Sequence, residues 1–157
     1  MSQTPATQFL RKNGAEFSEH PYGYEEHGGT SVSARELGVE EHLVIKTLVM
    51  QDDQAKPMIV LMFGDCKVST KNLARQIGCK SVEQCKPEVA QRHSGYMVGG
   101  TSPFGIKKAM TVYVEQGILL LDKIYINGGK RGYLISLHPV LLQTLLSARS
   151  VICALED

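Results

Sequence analysis

The chain has 157 residues, a formal net charge of +1, and 43% hydrophobic against 21% charged residues. That length and balance predict one globular domain spanning residues 1–157. They exclude a membrane-spanning protein, because no apolar run reaches span length, and so small a net charge excludes a strong, sequence-blind DNA binder.

The charge is unevenly spread: residues 1–53 hold four Lys/Arg against nine Asp/Glu, and the remainder is basic. The basic half is read either as a solvated surface or as a moderate phosphate-contacting face. Four cysteines, Cys66, Cys79, Cys85 and Cys153, form no CxxC pair and no metal-like spacing with histidine. The N-terminal residues are polar and lack the apolar stretch of a signal peptide. A cytoplasmic protein with reduced thiols, no metal and no cofactor is expected.

In chain order, Thr4-Pro5 is an N-cap followed by proline in the first helical turn, and Gly14 ends that helix. AEFSEHPY (15–22) predicts a short strand. Gly28-Gly29-Thr30-Ser31 leads into a helix ending at Gly38. HLVIKTLVM (42–50) predicts a buried strand from Val44, and after the polar turn QDDQAK a partner strand follows over 58–63. Ser69 or Thr70 caps a helix stopped by Gly78, and residues 86–95 repeat that pattern. AMTVYV (109–114) alternates as a strand. KIYIN, then GGK, then RGYLISL reads as a hairpin by its Asn-Gly and Gly-Gly signals. His138-Pro139 opens a last helix, and VICAL (151–155) predicts a final strand. Hairpins are prominent and strict βαβ alternation is absent, which predicts an α+β domain with a mixed sheet and helices packed around it.

Residues 95–105, GYMVGGTSPFG, carry four glycines around Thr101, Ser102 and Pro103. Such a loop either bends sharply or lets something approach its backbone closely. A phosphate-cradling P-loop is excluded because Ile106 stands where its lysine belongs. A nucleophile elbow is excluded because Pro103 follows Ser102 and offers no N–H for an oxyanion hole. Lys46 lies in VIKTLVM with apolar neighbours on both strand faces. It is either a lysine snorkelling from an edge strand or a cation held at a cleft facing the glycine loop, a combination suited to an anion or a developing oxyanion.

HLVIKTLVM, VAQRHSGYMVGGTSPFGIKK and IYINGGKRG, in this order and spacing, resemble the YbaK family, the prolyl-tRNA synthetase associated editing domains. The likeness runs from about Tyr22 to Leu137. It places the family's invariant lysine on Lys46, followed by Thr47, and its Gly-x-x-x-Pro loop on Gly99, Gly100, Thr101, Ser102 and Pro103. The glycine-lysine hairpin falls on residues 128–132, and Tyr22 matches a pocket tyrosine.

The resemblance implies a largely antiparallel mixed sheet curled into a partial barrel, and a stand-alone deacylase that cleaves a mischarged amino acid from the 3′ end of tRNA. Lys46, Gly99, Gly100, Thr101 and Ser102 are then the expected catalytic group, and Tyr22, Thr47, Pro103 and Gly129 the expected substrate contacts. Lys107, Lys108, Lys130 and Arg131 are candidate contacts for the tRNA acceptor end, with a plain surface role as the other reading. Mischarged tRNA and prolyl-tRNA synthetase are the implied partners, and neither DNA nor a membrane is expected. Cys, Ser or Thr is the expected amino acid, with Ala behind them. Gly29 and Leu134 depart from the aromatic and aspartate that some cysteine-specific members carry. A tRNA- or synthetase-binding module without hydrolysis is the competing reading.

Overall fold

A computed structural model describes residues 3–156. Helix α1 (Pro5–Lys12) begins at Thr4, whose Oγ1 accepts from the Thr7 N–H at 3.1 Å. The same hydroxyl donates to the Gly128 carbonyl at 2.5 Å, so the cap also pins the helix to the rest of the fold. Strand β1 (Ser18–Pro21) is shorter than its sequence signal, and α2 (Gly29–Leu37) stops at Gly38 in the left-handed conformation. A 3-10 turn (Glu41–Leu43) then leads into β2 (Val44–Asp52) and β3 (Pro57–Phe63). Their connection is held by Asp52, whose Oδ1 accepts from the Gln54 and Lys56 N–H groups, each at 2.9 Å.

Next come β4 (Cys66–Val68), α3 (Thr70–Ile77) capped by Ser69, β5 (Val82–Gln84) and α4 (Pro87–Ser94). Beyond the glycine loop lie β6 (Thr111–Glu115), a 3-10 segment (Gln116–Leu120), and the hairpin of β7 (Ile124–Lys130) and β8 (Tyr133–Leu137). Helix α5 (Val140–Leu146) precedes β9 (Arg149–Val151) and β10 (Ala154–Glu156).

The main sheet runs β1-β8-β7-β2-β3-β6-β9, with β5 paired to the far end of β2. Two antiparallel hairpins, β2–β3 and β7–β8, are joined in parallel through Val44 and Ile45 to Tyr125 and Ile126. Strand β6 adds to β3 in parallel, and β9 adds to β6 in the same sense. The sheet is mixed and open, with β1 and β9 at its edges. Strand β3 is buried along nearly its whole length, as its unbroken apolar run requires of a strand covered on both faces.

The C-terminal segment departs from the single strand expected over 151–155. Gln76 accepts from the Ile152 N–H at 2.9 Å and donates to its carbonyl at 2.6 Å, while Glu115 accepts from the Cys153 N–H at 2.7 Å. Side chains thus take the backbone groups that a continuing ladder would use. The chain leaves the main sheet after Val151 and pairs through β10 with β4 instead. Among the described residues no helix is long and apolar enough to cross a membrane.

Candidate active site

A cleft of about 480 Å³ opens beside β2, within the size range of small-molecule sites. Residues 44–49 of β2 line one side, the β1–α2 connection and α2 a second, and the glycine loop with the β7–β8 hairpin a third. Lys46 and Thr47 are both in its wall and both half-buried. Among the described residues the Lys46 side chain makes no ion pair and no hydrogen bond. Thr47 Oγ1 is buried and has no hydrogen-bond partner among the described residues. An unsatisfied hydroxyl of this kind costs about 1–3 kcal/mol, a cost that a bound ligand or water in the cleft would relieve.

The glycine loop reaches the same cleft through Val98, Gly99 and Thr101. Its turn is closed by the Gly100 N–H donating to the Met97 carbonyl at 2.9 Å. No acceptor among the described residues takes the N–H of Gly99 or Thr101. Two side chains of the hairpin that also line the cleft hold the loop. Asn127 Nδ2 donates to the Gly99 carbonyl at 3.1 Å, and Arg131 Nε donates to the Val98 carbonyl at 2.9 Å.

The space that each glycine leaves is filled by protein. A Cβ on Gly99 would lie 2.7 Å from the Tyr24 hydroxyl, and Gly99 has φ +88°. A Cβ on Gly100 would lie 2.9 Å from the backbone of Lys130 and Arg131. Gly105 packs on the backbone of Pro5 and Ala6, and Gly95 on the Lys107 side chain. The loop is rich in glycine because four parts of the chain press against it.

The expected site residues therefore separate. Tyr22, Lys46, Thr47, Gly99, Thr101 and Arg131 line the cleft together. Gly100, Ser102, Pro103 and Gly129 lie behind its wall. Ser102 is fully buried, and its Oγ accepts from the Phe104 N–H at 3.1 Å, which shapes the loop. Gly129 packs on Thr4 and Tyr96. Lys107, Lys108 and Lys130 are exposed and outside the cleft lining. Burial raises the Tyr22 phenol above its ordinary value, so it stays neutral at neutral pH.

Tyr24 and Asn127 line the cleft without having been read as site residues in the sequence, while Leu134, noted there as a departure from the family pattern, lines it too. Asn127 was read only as part of a turn signal. Tyr24 belongs to a polar connection with no periodicity to mark it.

Away from the cleft, His42, Asp65 and Cys66 bring potential metal ligands within 4.8 Å of one another, although their spacing in the sequence signals nothing. They are already engaged: His42 Nδ1 is 2.8 Å from Asp65 Oδ1, and the imidazole stacks on Phe63 at 3.8 Å. Burial, followed by the Asp65 carboxylate, pushes the Cys66 thiol up to about 11. Burial likewise pushes Cys153 up to about 12, so both are poor nucleophiles at neutral pH.

The open mixed sheet is shared with solved structures. A crystal structure provisionally described as a trans-editing enzyme for prolyl tRNA synthetase superposes with a TM-score of 0.81, covering 99% of each chain at 20% identity. At that identity the likeness establishes the fold alone.

The chain belongs to the aminoacyl-tRNA editing domain family, whose model matches residues 25–145. A protein of Enterococcus faecalis, provisionally named the Cys-tRNA(Pro)/Cys-tRNA(Cys) deacylase EbsC, is 28% identical over 94% of this chain and 90% of its own length. A proline–tRNA ligase of Limosilactobacillus fermentum is 25% identical over 64% of this chain, which spans 18% of that larger protein.

Proposed function

We propose that this protein is an aminoacyl-tRNA deacylase that removes a small, wrongly attached amino acid from the 3′ end of tRNA. The observation that carries the reading is Lys46: a cation without an ion-pair partner among the described residues, in a cleft also lined by Gly99 and Thr101, whose N–H groups no described residue accepts from. Cation and N–H groups are the donors that an ester carbonyl needs as its oxygen gains negative charge. An aminoacyl ester is already reactive, so such stabilisation is enough without a nucleophilic triad.

Water attacks the carbonyl carbon, the bond to the ribose oxygen breaks, and that oxygen leaves with a proton as the terminal hydroxyl. With a cysteinyl substrate the amino acid's own thiol takes the place of water and gives a thiolactone. Gly100, Ser102, Pro103 and Gly129 support these steps by holding the loop and hairpin in shape. Arg131, Lys130, Lys107 and Lys108 serve the phosphates of the acceptor end.

The amino acid is Cys, Ser or Thr, with Ala behind them. Gly29 and Leu134 both line the cleft. An aromatic at 29 or a carboxylate at 134 would change its bulk and charge, so their identity here favours Ser or Thr over strict cysteine specificity. The tRNA is one charged by prolyl-tRNA synthetase for a Cys or Ala substrate, and a broader set for Ser or Thr.

Deacylation of a panel of mischarged tRNAs tests this directly. Release of free Ser or Thr carrying oxygen from labelled water supports hydrolysis, whereas a cysteine thiolactone marks attack by the substrate thiol. Tight binding of every tRNA with no loss of amino acid would instead identify a binding module.

A further inference from the structure

We infer that Tyr24 is the stacking platform for the terminal adenine of the tRNA acceptor end, an assignment that rests on the reading of this cleft as a tRNA 3′-end site. Tyr24 lines the cleft yet keeps 36% of its surface exposed, and Val98, which lines the same cleft from the glycine loop, is 46% exposed. A large, partly exposed aromatic in a cleft wall, with a second exposed apolar side chain in the same lining, marks a surface suited to a ligand.

The ring is held rather than loose. The Arg131 guanidinium lies over it at 5.3 Å, and the same side chain is anchored by its Nε to the Val98 carbonyl at 2.9 Å. The ring's far end is seated against Gly99, where its hydroxyl occupies the space a Cβ would need. An aromatic fixed in this way loses little freedom when a base stacks on it. With Arg131 over one face, the base takes the opposite face, and the guanidinium meets the negative charge of the adjoining phosphate, the pairing by which proteins grip unpaired nucleotides.

The terminal base is the occupant because the scissile ester sits on the sugar that carries it. With the ester at Lys46, the base of the same nucleotide reaches another part of the cleft lining, to which Tyr24 belongs. Tyr24 is thus a binding residue for the nucleoside, distinct from the groups that act on the ester.

The test is binding of an uncharged RNA hairpin with an unpaired CCA end, in two forms, one intact and one with an abasic sugar in place of the terminal adenosine. Fluorescence anisotropy is read for the wild type, Tyr24→Phe, Tyr24→Leu and Tyr24→Ala. The wild type should bind the intact end roughly ten-fold more tightly than the abasic end. Tyr24→Phe should keep that preference. Tyr24→Leu, which retains apolar bulk against Gly99 and Arg131, should lose it as fully as Tyr24→Ala does. Equal affinity of the wild type for the two ends overturns the assignment, as does a Tyr24→Leu protein that still prefers the intact end. Because the RNA carries no amino acid, failure of the deacylase reading leaves this result standing on its own.

Discussion

Asn127 and Gly99 are tied together in the wall of the cleft. The asparagine donates from Nδ2 to the Gly99 carbonyl at 3.1 Å, and its Oδ1 accepts from the N–H groups of Gly129 and Lys130 at 2.7 and 3.1 Å. One side chain therefore shapes the hairpin and sets the position of the glycine loop. Asn127→Ala removes all three bonds and should lower stability by about 1–3 kcal/mol, with a roughly ten-fold loss of kcat/KM from a loosened loop. Asn127→Asp keeps the two acceptor roles but places a carboxylate against the Gly99 carbonyl, so it should retain the hairpin and still lose activity. Urea unfolding beside deacylation kinetics separates the two effects.

Lys46→Ala should leave the fold intact, since no bond among the described residues depends on its ammonium. Deacylation should fall by roughly 100- to 1,000-fold, the usual effect of deleting one oxyanion donor. Near-wild-type turnover in a folded variant removes Lys46 from the mechanism, and a large fall in melting temperature assigns it a structural role.

Substitution at Gly100 should act through the hairpin. A methyl group there meets the Lys130–Arg131 backbone at 2.9 Å, which cannot swing aside as a side-chain tip would. Gly100→Ala should cost about 1–3 kcal/mol of overpacking, and Gly100→Val more. The melting temperature should fall together with activity. An unchanged melting temperature with activity lost would show that the space belongs to the substrate.

Ser102→Ala should keep most deacylase activity. Its hydroxyl is buried and occupied with the Phe104 N–H, so the loss falls on stability, at about 1–3 kcal/mol for an orphaned buried donor. An acyl group trapped on Ser102, detected by mass spectrometry of the intact protein, would overturn this.

His20 should make stability depend on pH. Burial, then the nearby Lys123 charge, hold its pKa below the ordinary value of 6.5. The native state thus favours the neutral ring, which lies 2.8 Å from Ser136 Oγ through Nε2. The unfolded chain binds the proton more readily, so this contribution is complete above about pH 6.5 and is lost as pH falls through the lower native pKa. Unfolding free energy measured from pH 7.5 to 5 should fall more steeply for the wild type than for His20→Gln. Parallel curves would remove His20 as the cause.

The elements with local signals were determined by the sequence itself. Thr4-Pro5, Ser69, Gly38 and Gly78 mark helix ends through capping groups and left-handed backbone, and residues 44–50 and 58–63 declare strands by apolar, β-branched runs. Lys46 was legible for the same reason, as a lone cation inside such a run. Strands β4 and β5, three residues each, carry too short a pattern to read. The division of the C-terminal segment was equally hidden, because Gln76 and Glu115 impose it from other elements. Which residues of the glycine loop face the cleft was decided by tertiary structure alone. Local chemistry announces that Gly99 and Gly100 need space, but not what occupies it. The Tyr24 hydroxyl and the hairpin backbone do so, and Asn127 and Gly99, 28 residues apart, become neighbours when the sheet brings the hairpin to the loop. Backbone preference is a property of a few adjacent residues, whereas the filling of space depends on every chain segment that converges there.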